Sequence, residues 1–213
     1  MKTTHKLITF AAAAALCAPA MARESNNGFY VMPEIGILKF SNYCDSAGLS
    51  DLGLAITSCE DSEIGFGIAG GYWFNDLIAA ELGARFGSGY NINLSGTASG
   101  NSVTATSETS YNSFSLGGRI NYPIGTSGFG LTGKAGLHRW SLENEGRTSV
   151  GTGNVTLNTT VKDDGFDFYG GIGANYAFTK DILAQGEYTF YSYGGDIHDD
   201  PGHAFTGSVV WNF

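Results

Sequence analysis

The chain has 213 residues and a formal charge of −9, with 32 Gly, 4 Pro, 14 Phe and 11 Tyr. So acidic a chain is a poor match for nucleic acid, and a Gly- and aromatic-rich composition favours strands over helices. After the first two dozen residues no apolar run is long enough for a membrane-spanning helix.

Lys2 and Lys6, the apolar run Leu7–Ala18 and the Ala20-Met21-Ala22 site are the parts of a secretory signal peptide. Residues 1–22 are therefore expected to be removed, leaving a single domain over residues 23–213. Cys17 follows Leu16, where a lipidated cysteine would follow a small residue. Without Lys2 and Lys6 the 11 basic residues fall to 9 against 20 acidic, a charge of −11. Cys44 and Cys59 remain, and an even pair at short spacing in an exported chain reads as a disulfide, contributing about 3 kcal/mol by loop closure.

Eight segments then alternate apolar with small or polar side chains, the period of a strand with two unlike faces. The first, Phe29 to Phe40, sets Phe29, Val31, Pro33, Ile35 and Ile37 on one face. The second, Glu63 to Phe74, sets Ile64, Phe66, Ile68, Tyr72 and Phe74 against Gly65, Gly67, Ala69 and Gly71. The third, Leu77 to Tyr90, opposes Ile78, Leu82 and Phe86 to Glu81, Gly83 and Arg85. The fourth, Tyr111 to Tyr122, opposes Phe114, Leu116 and Ile120 to Ser113, Arg119 and Asn121.

In the fifth, Phe129 to Ser141, Leu131, Ala135 and Leu137 face away from Thr132, Lys134 and His138. The sixth, Gly165 to Phe178, separates Phe166, Phe168 and Ile172 from Asp167, Gly171 and Asn175. The seventh, Asp181 to Tyr193, separates Ile182, Tyr188 and Phe190 from Gln185, Glu187 and Thr189. The eighth, His203 to Phe213, places Phe205, Gly207, Val209, Trp211 and Phe213 together.

The apolar faces are as long as a tilted membrane strand requires and begin or end in aromatic residues. Connections alternate too. Asn75-Asp76, Pro123 to Gly128 and Thr179-Lys180 are short, whereas Ser41 to Ser62, Asn91 to Ser110, Leu142 to Asp164 and Gly194 to Gly202 are long and polar. A soluble barrel would turn its apolar face inward, but here Glu81, Arg119, Lys134 and Glu187 lie opposite that face. The pattern predicts an all-β, eight-stranded antiparallel up-and-down transmembrane barrel, monomeric, with the long loops extracellular.

Four stretches resemble the OmpA-like eight-stranded outer-membrane barrels: Ala80–Gly83, Arg119–Ile124, Gly133–Gly136 and Gly186–Tyr188. The terminal Gly207-x-Val209-x-Trp211-x-Phe213 is similar to the assembly signal that the barrel-assembly machinery reads in such proteins. The resemblance implies partners in outer-membrane lipid and lipopolysaccharide, and a charged lumen network of Glu81, Arg119, Lys134 and Glu187. Glu34 and Arg85 extend it. The chain stops at Phe213, so the periplasmic peptidoglycan-gripping domain of larger members is not expected.

Function is left with three readings. The first is a structural, surface-exposed barrel whose outer loops meet a host surface or a phage. The second is a small pore gated by re-pairing of the lumen charges, and the third is a lipid A-modifying enzyme. No residue is assigned to catalysis: His203 lacks an evident Ser partner nearby in sequence, and inward His138 reads as packed beside Trp140. Asp196, His198, Asp199, Asp200 and His203 read as an acidic loop rather than a metal site. Gly65-Phe66-Gly67-Ile68-Ala69-Gly70 matches a dinucleotide fingerprint in letters only, since alternation runs straight through it. No cofactor is expected.

Overall fold

Among the described residues, nine antiparallel strands make up the architecture of the computed structural model: β1 (Gly28–Phe40), β2 (Leu54–Cys59), β3 (Ser62–Trp73), β4 (Ile78–Ala98), β5 (Asn101–Pro123), β6 (Phe129–Val150), β7 (Val155–Ala177), β8 (Ile182–Tyr191) and β9 (Gly202–Asn212). The structure describes residues 27–41, 44, 54–60, 62–98, 101–151, 155–194 and 201–213. The expected signal segment 1–22 lies outside them, as do Asp196, His198, Asp199 and Asp200.

All strands except β2 form one ring in the order β1-β3-β4-β5-β6-β7-β8-β9. It closes where β1 pairs antiparallel with β9, from Tyr30↔Asn212 to Phe40↔Gly202. Closure gives the last strand a partner on each side and removes the open sheet edges. The expected eight-stranded barrel is therefore the one observed.

Alternation assigned the two faces correctly. Phe66, Phe114, Leu116, Ile120, Leu137, Phe166, Phe168, Ile172 and Phe205 all point outward, with Phe166 at 72% and Ile172 at 70% exposure. In water this belt would be a very large apolar patch; in a bilayer it meets hydrocarbon. At the end carrying the short turns the belt finishes in aromatic pairs. Phe29 and Tyr72 lie 5.0 Å apart, Phe129 and Tyr176 4.8 Å, and Trp211 and Phe213 5.7 Å. The turns are locked by side chains. Asn75 Oδ1 accepts from the backbone N–H groups of Leu77 and Ile78, and Thr179 Oγ1 accepts from those of Asp181 and Ile182.

The connections at the opposite end depart from expectation. Asn91 to Ser110 and Leu142 to Asp164 read as polar loops, yet most of both stretches is strand. The ladder of β4 and β5 continues to Ala98↔Asn101, and that of β6 and β7 to Val150↔Val155. β-Branched Val103, Thr104, Thr106, Thr156 and Val161 suit a pleated surface, and a Ser/Thr-rich composition hid that propensity. Strands β4 to β7 run 21 to 23 residues against 10 to 13 for β1, β3, β8 and β9. The shorter strands match one tilted membrane crossing, so the longer ones stand well beyond it. The unanticipated strand β2 widens this extension: it pairs with β4 from Leu54↔Gly96 to Cys59↔Ile92. Glu60 N–H donates to the Asn91 carbonyl at 3.0 Å, so the ladder passes from β2 towards β3.

If the outward belt is the membrane face, Ile172→Arg lowers stability in lipid vesicles by about 2–4 kcal/mol, and Ile124→Arg in a short turn by no more than about 1 kcal/mol. Urea unfolding followed by tryptophan fluorescence measures both. Equal losses would place Ile172 outside the hydrocarbon.

Candidate functional site

The lumen is a candidate site because strand alternation sends the charged side chains there. Glu81 comes from β4, Arg119 from β5, Lys134 from β6 and Glu187 from β8, and all four are buried. Room for them comes from inward glycines on facing strands: a Cβ at Gly67 would sit 2.8 Å from Glu34 Cγ, and one at Gly171 3.1 Å from Lys134 Cε.

Arg119 and Lys134 are directly opposed across β5 and β6, an arrangement that places two cations side by side. Carboxylates on both sides make it tolerable. Arg119 donates from Nε to Glu81 Oε2 at 2.5 Å and from Nη2 to Oε1 at 3.1 Å, a bidentate fork. Its Nη1 reaches Glu187 Oε2 at 3.0 Å, while Lys134 Nζ pairs with the other oxygen of Glu187. Neutral donors add further hydrogen bonds to the same carboxylate oxygens. Tyr30 donates to Glu81 at 2.6 Å, and Gln185 and Thr189 donate to Glu187 at 3.0 and 3.1 Å.

A second pair lies beside the first: Arg85 donates to Glu34 Oε1 from Nε at 3.0 Å and from Nη2 at 2.5 Å, and to the Tyr191 hydroxyl. These three cations and three carboxylates balance, as burial of charge in low dielectric requires.

Apolar layers close the lumen above and below the charges. On the side of the long strands, Leu38, Phe40, Tyr111, Trp140, Leu142, Tyr169, Tyr191, Tyr193 and Ala204 form one cluster, with Trp140 and Tyr111 fully buried. On the side of the short turns Tyr30, Met32, Trp73, Leu183 and Val210 form another. Two cavities beside the charges measure about 10 Å³ each, room for about one water. Cys44 and Cys59 are disulfide-bonded, with Cα atoms 5.9 Å apart, and pack with Ile92 against the first cluster.

Two histidines find serine partners that sequence proximity did not reveal. His138 Nε2 donates to the Ser192 carbonyl at 2.9 Å, an acceptor that fixes the proton on that nitrogen, and Nδ1 lies 3.3 Å from Ser113 Oγ. The pair is buried beneath Trp140 and Tyr193, with His138 at 1% exposure. His203 lies on the outer wall, 3.1 Å from Ser41 Oγ and 2.6 Å from the Tyr188 hydroxyl. Ser41 is 162 positions away, so only the closure of β9 on β1 brings them together. Among the described residues no group of three or more His, Cys, Asp or Glu side chains could hold a metal ion.

Of the proposed assembly residues, Gly207, Val209 and Trp211 share the outward face of β9 and Phe213 follows its end, with Val209 at 49% and Phe213 at 71% exposure.

Arg119→Ala leaves Glu81 and Glu187 under-compensated, and we expect a loss of about 3–5 kcal/mol in urea unfolding from vesicles. Replacing the pair together, Arg119→Met with Glu81→Leu, recovers most of it. A loss below about 1 kcal/mol for Arg119→Ala would mean that the charges are solvated.

Comparison with known proteins agrees with this geometry. The family model for the outer membrane protein beta-barrel domain matches residues 8–213. The chain is similar to the solved N-terminal β-barrel domain of Pseudomonas aeruginosa OprF, at 14% identity and TM-score 0.52, covering 89% of this chain and 100% of that one. It is also similar to Ail, the attachment invasion locus protein of Yersinia pestis, at 12% identity and TM-score 0.49, covering 88% and 100%. OprG of Pseudomonas aeruginosa follows at 11% identity and TM-score 0.49, covering 90% and 95%. No curated protein matches the chain in sequence. The lipid-facing belt, the closed ring and the family match lead to one conclusion: the chain belongs to the outer membrane protein beta-barrel domain family and sits in the bacterial outer membrane.

Proposed function

We propose that the protein is a sealed outer-membrane scaffold that holds a β-sheet outside the cell for contact with an external surface. The observation that supports it most is the division of the chain: the membrane-level lumen is packed with paired charges and aromatic rings, while strands β4 to β7 continue far past the membrane. A chain built to conduct would gain little from the extension. One built to display a surface needs both the rigid base and the reach. The partners in this reading are outer-membrane lipid and lipopolysaccharide, the barrel-assembly machinery acting on the Phe213 end, and a host surface or phage at the sheet.

The pore reading draws on one observation. Arg119 and Lys134 share Glu187, so one cation could be released while the carboxylate stays neutralised by the other. The aromatic cluster above and the apolar cluster below still stand in the way of ions.

The enzyme reading is weaker. Ser113 and His138 are sealed from substrate, and the second nitrogen of His203 meets the Tyr188 hydroxyl, where a hydrolytic histidine is oriented by a carboxylate.

The display reading is tested by replacing residues 144–161 with an Asn-Gly turn, which removes the far half of the β6–β7 hairpin and leaves the membrane-level barrel intact. Attachment of expressing cells to cultured epithelial cells should fall to the level of cells lacking the protein, with unchanged amounts of folded barrel in the outer membrane. Full attachment by the shortened protein would contradict the reading.

A further inference from the structure

We propose that the upper edge of β7 is a homophilic contact: it pairs antiparallel with the same edge of a second copy that stands in a facing membrane. The inference rests on the display reading, which holds this sheet outside the cell, and it names one surface that the sheet meets.

At membrane level β7 has a neighbour on each side, but above it only one. Its ladder with β6 runs unbroken from Phe129↔Tyr176 to Val150↔Val155. Among the described residues β8 pairs with it only from Tyr169↔Tyr191 to Ala177↔Leu183. The Ser192 N–H donates to the Phe168 carbonyl at 3.0 Å, so Phe168 turns its backbone groups away from β6. Residues along a strand alternate in this respect, so Thr160, Asn158 and Thr156 present their N–H and C=O groups on that same side. No strand among the described residues takes them up. A second extended backbone is the partner that fits such a row.

Sheets protect a bare edge with charge, proline, a bulge or shortness. At the other edge of the extension β2 is short, with 6 residues, and tied at Cys59 to Cys44. The upper part of β7 has none of these protections. Val155 to Val161 reads VTLNTTV, with no charge, no Pro and no Gly, the composition of a self-pairing strand. Leu157 and Val161 share one face there and are 59% and 40% exposed, apolar surface that an added strand would cover. Charge begins only below the run, at Lys162, Asp163 and Asp164.

The pattern selects both the occupant and its direction. Antiparallel pairing of two copies centred on Asn158 sets Val155 against Val161 and Thr156 against Thr160, so the uncharged run meets only itself. Leu157 then lies diagonal to its own counterpart and to Val161 of the second copy, within reach across a ladder. Lys162, Asp163 and Asp164 fall at opposite ends of the shared ladder. Parallel pairing in register would set Asp163 and Asp164 against themselves, which is unfavourable. It fails on geometry too. Two copies in one membrane are related by a two-fold axis along its normal, so strands tilted about 35–45° cross at about 70–90°, against about 20–25° between sheet neighbours. Antiparallel pairing inverts the second copy, which therefore stands in another membrane. Each copy stays single in its own membrane, and the contact joins cell to cell.

Clustering of lipid vesicles that carry the full-length folded barrel, mixed from two populations of different colour, decides the matter. Wild type should raise two-colour particles about tenfold over protein-free vesicles, since many copies act together on each vesicle. Asn158→Pro combined with Thr160→Pro removes N–H donors from the bare edge and none from the ladder with β6. That variant should return clustering to the protein-free level. Asn158→Ser keeps the backbone donors and should cluster as wild type does. Urea unfolding in vesicles checks that all variants hold the same barrel. A short bismaleimide should also join Asn158→Cys copies carried by vesicles of different colour, a readout that needs no proline variant. The proposal is overturned if wild-type vesicles stay single, if the folded double-proline variant clusters as wild type does, or if cross-linked copies come only from vesicles of one colour. Single wild-type vesicles together with full epithelial attachment would overturn the pairing and leave the display reading standing.

Discussion

Everything at membrane level depends on the shared pairing of Arg119. One guanidinium holds Glu81 through a bidentate fork and Glu187 through its remaining edge, and Lys134 closes the account on the far oxygen of Glu187. A barrel of eight strands has an interior only wide enough to be filled by side chains, so a charge placed there has little water to fall back on. The requirement explains the neighbours. Gly67 and Gly171 leave space for long charged side chains, and Tyr30, Gln185 and Thr189 add hydrogen bonds to the same ion-paired carboxylate oxygens.

The outer wall obeys the opposite rule. Its belt gains stability from contact with lipid instead of from internal packing, which is why Phe166 and Ile172 are among the most exposed residues and still belong where they are. The two rules meet in every strand, because successive residues serve opposite solvents. Above the membrane they lapse. There the extended strands β4 to β7 and the edge strand β2 carry Ser, Thr and Asn on a sheet that owes its order to continuous pairing with the barrel below.

This division decides how much the sequence reveals. The alternation of Phe114, Leu116 and Ile120 with Ser113, Arg119 and Asn121 is legible because lipid on one side and packed lumen on the other leave no freedom. Glu81, Arg119, Lys134 and Glu187 are legible as inward residues for the same reason. The extension is not legible, because neither face of Val103 to Thr109 or Thr156 to Val161 is immersed in lipid, and Ser/Thr-rich segments read as loops until their pairing is seen. Pairings across the closed ring are hidden for a different reason. Ser41 meets His203, and Arg85 meets Tyr191, only because β1 returns to β9 and the lumen brings distant strands together. A groove over Gly186, lined by Leu131, Ile172, Tyr188 and Phe205, is likewise a property of four adjacent strands and of none alone.

The proposed display function requires a lumen closed to ions by its paired charges and the two apolar layers. Conductance of the purified, refolded barrel in planar lipid bilayers tests this most directly. A sealed lumen predicts electrically silent insertions under moderate voltage in high salt. Reproducible unitary openings carried by the wild-type barrel would show a continuous aqueous path past Arg119 and Trp140, and would contradict it.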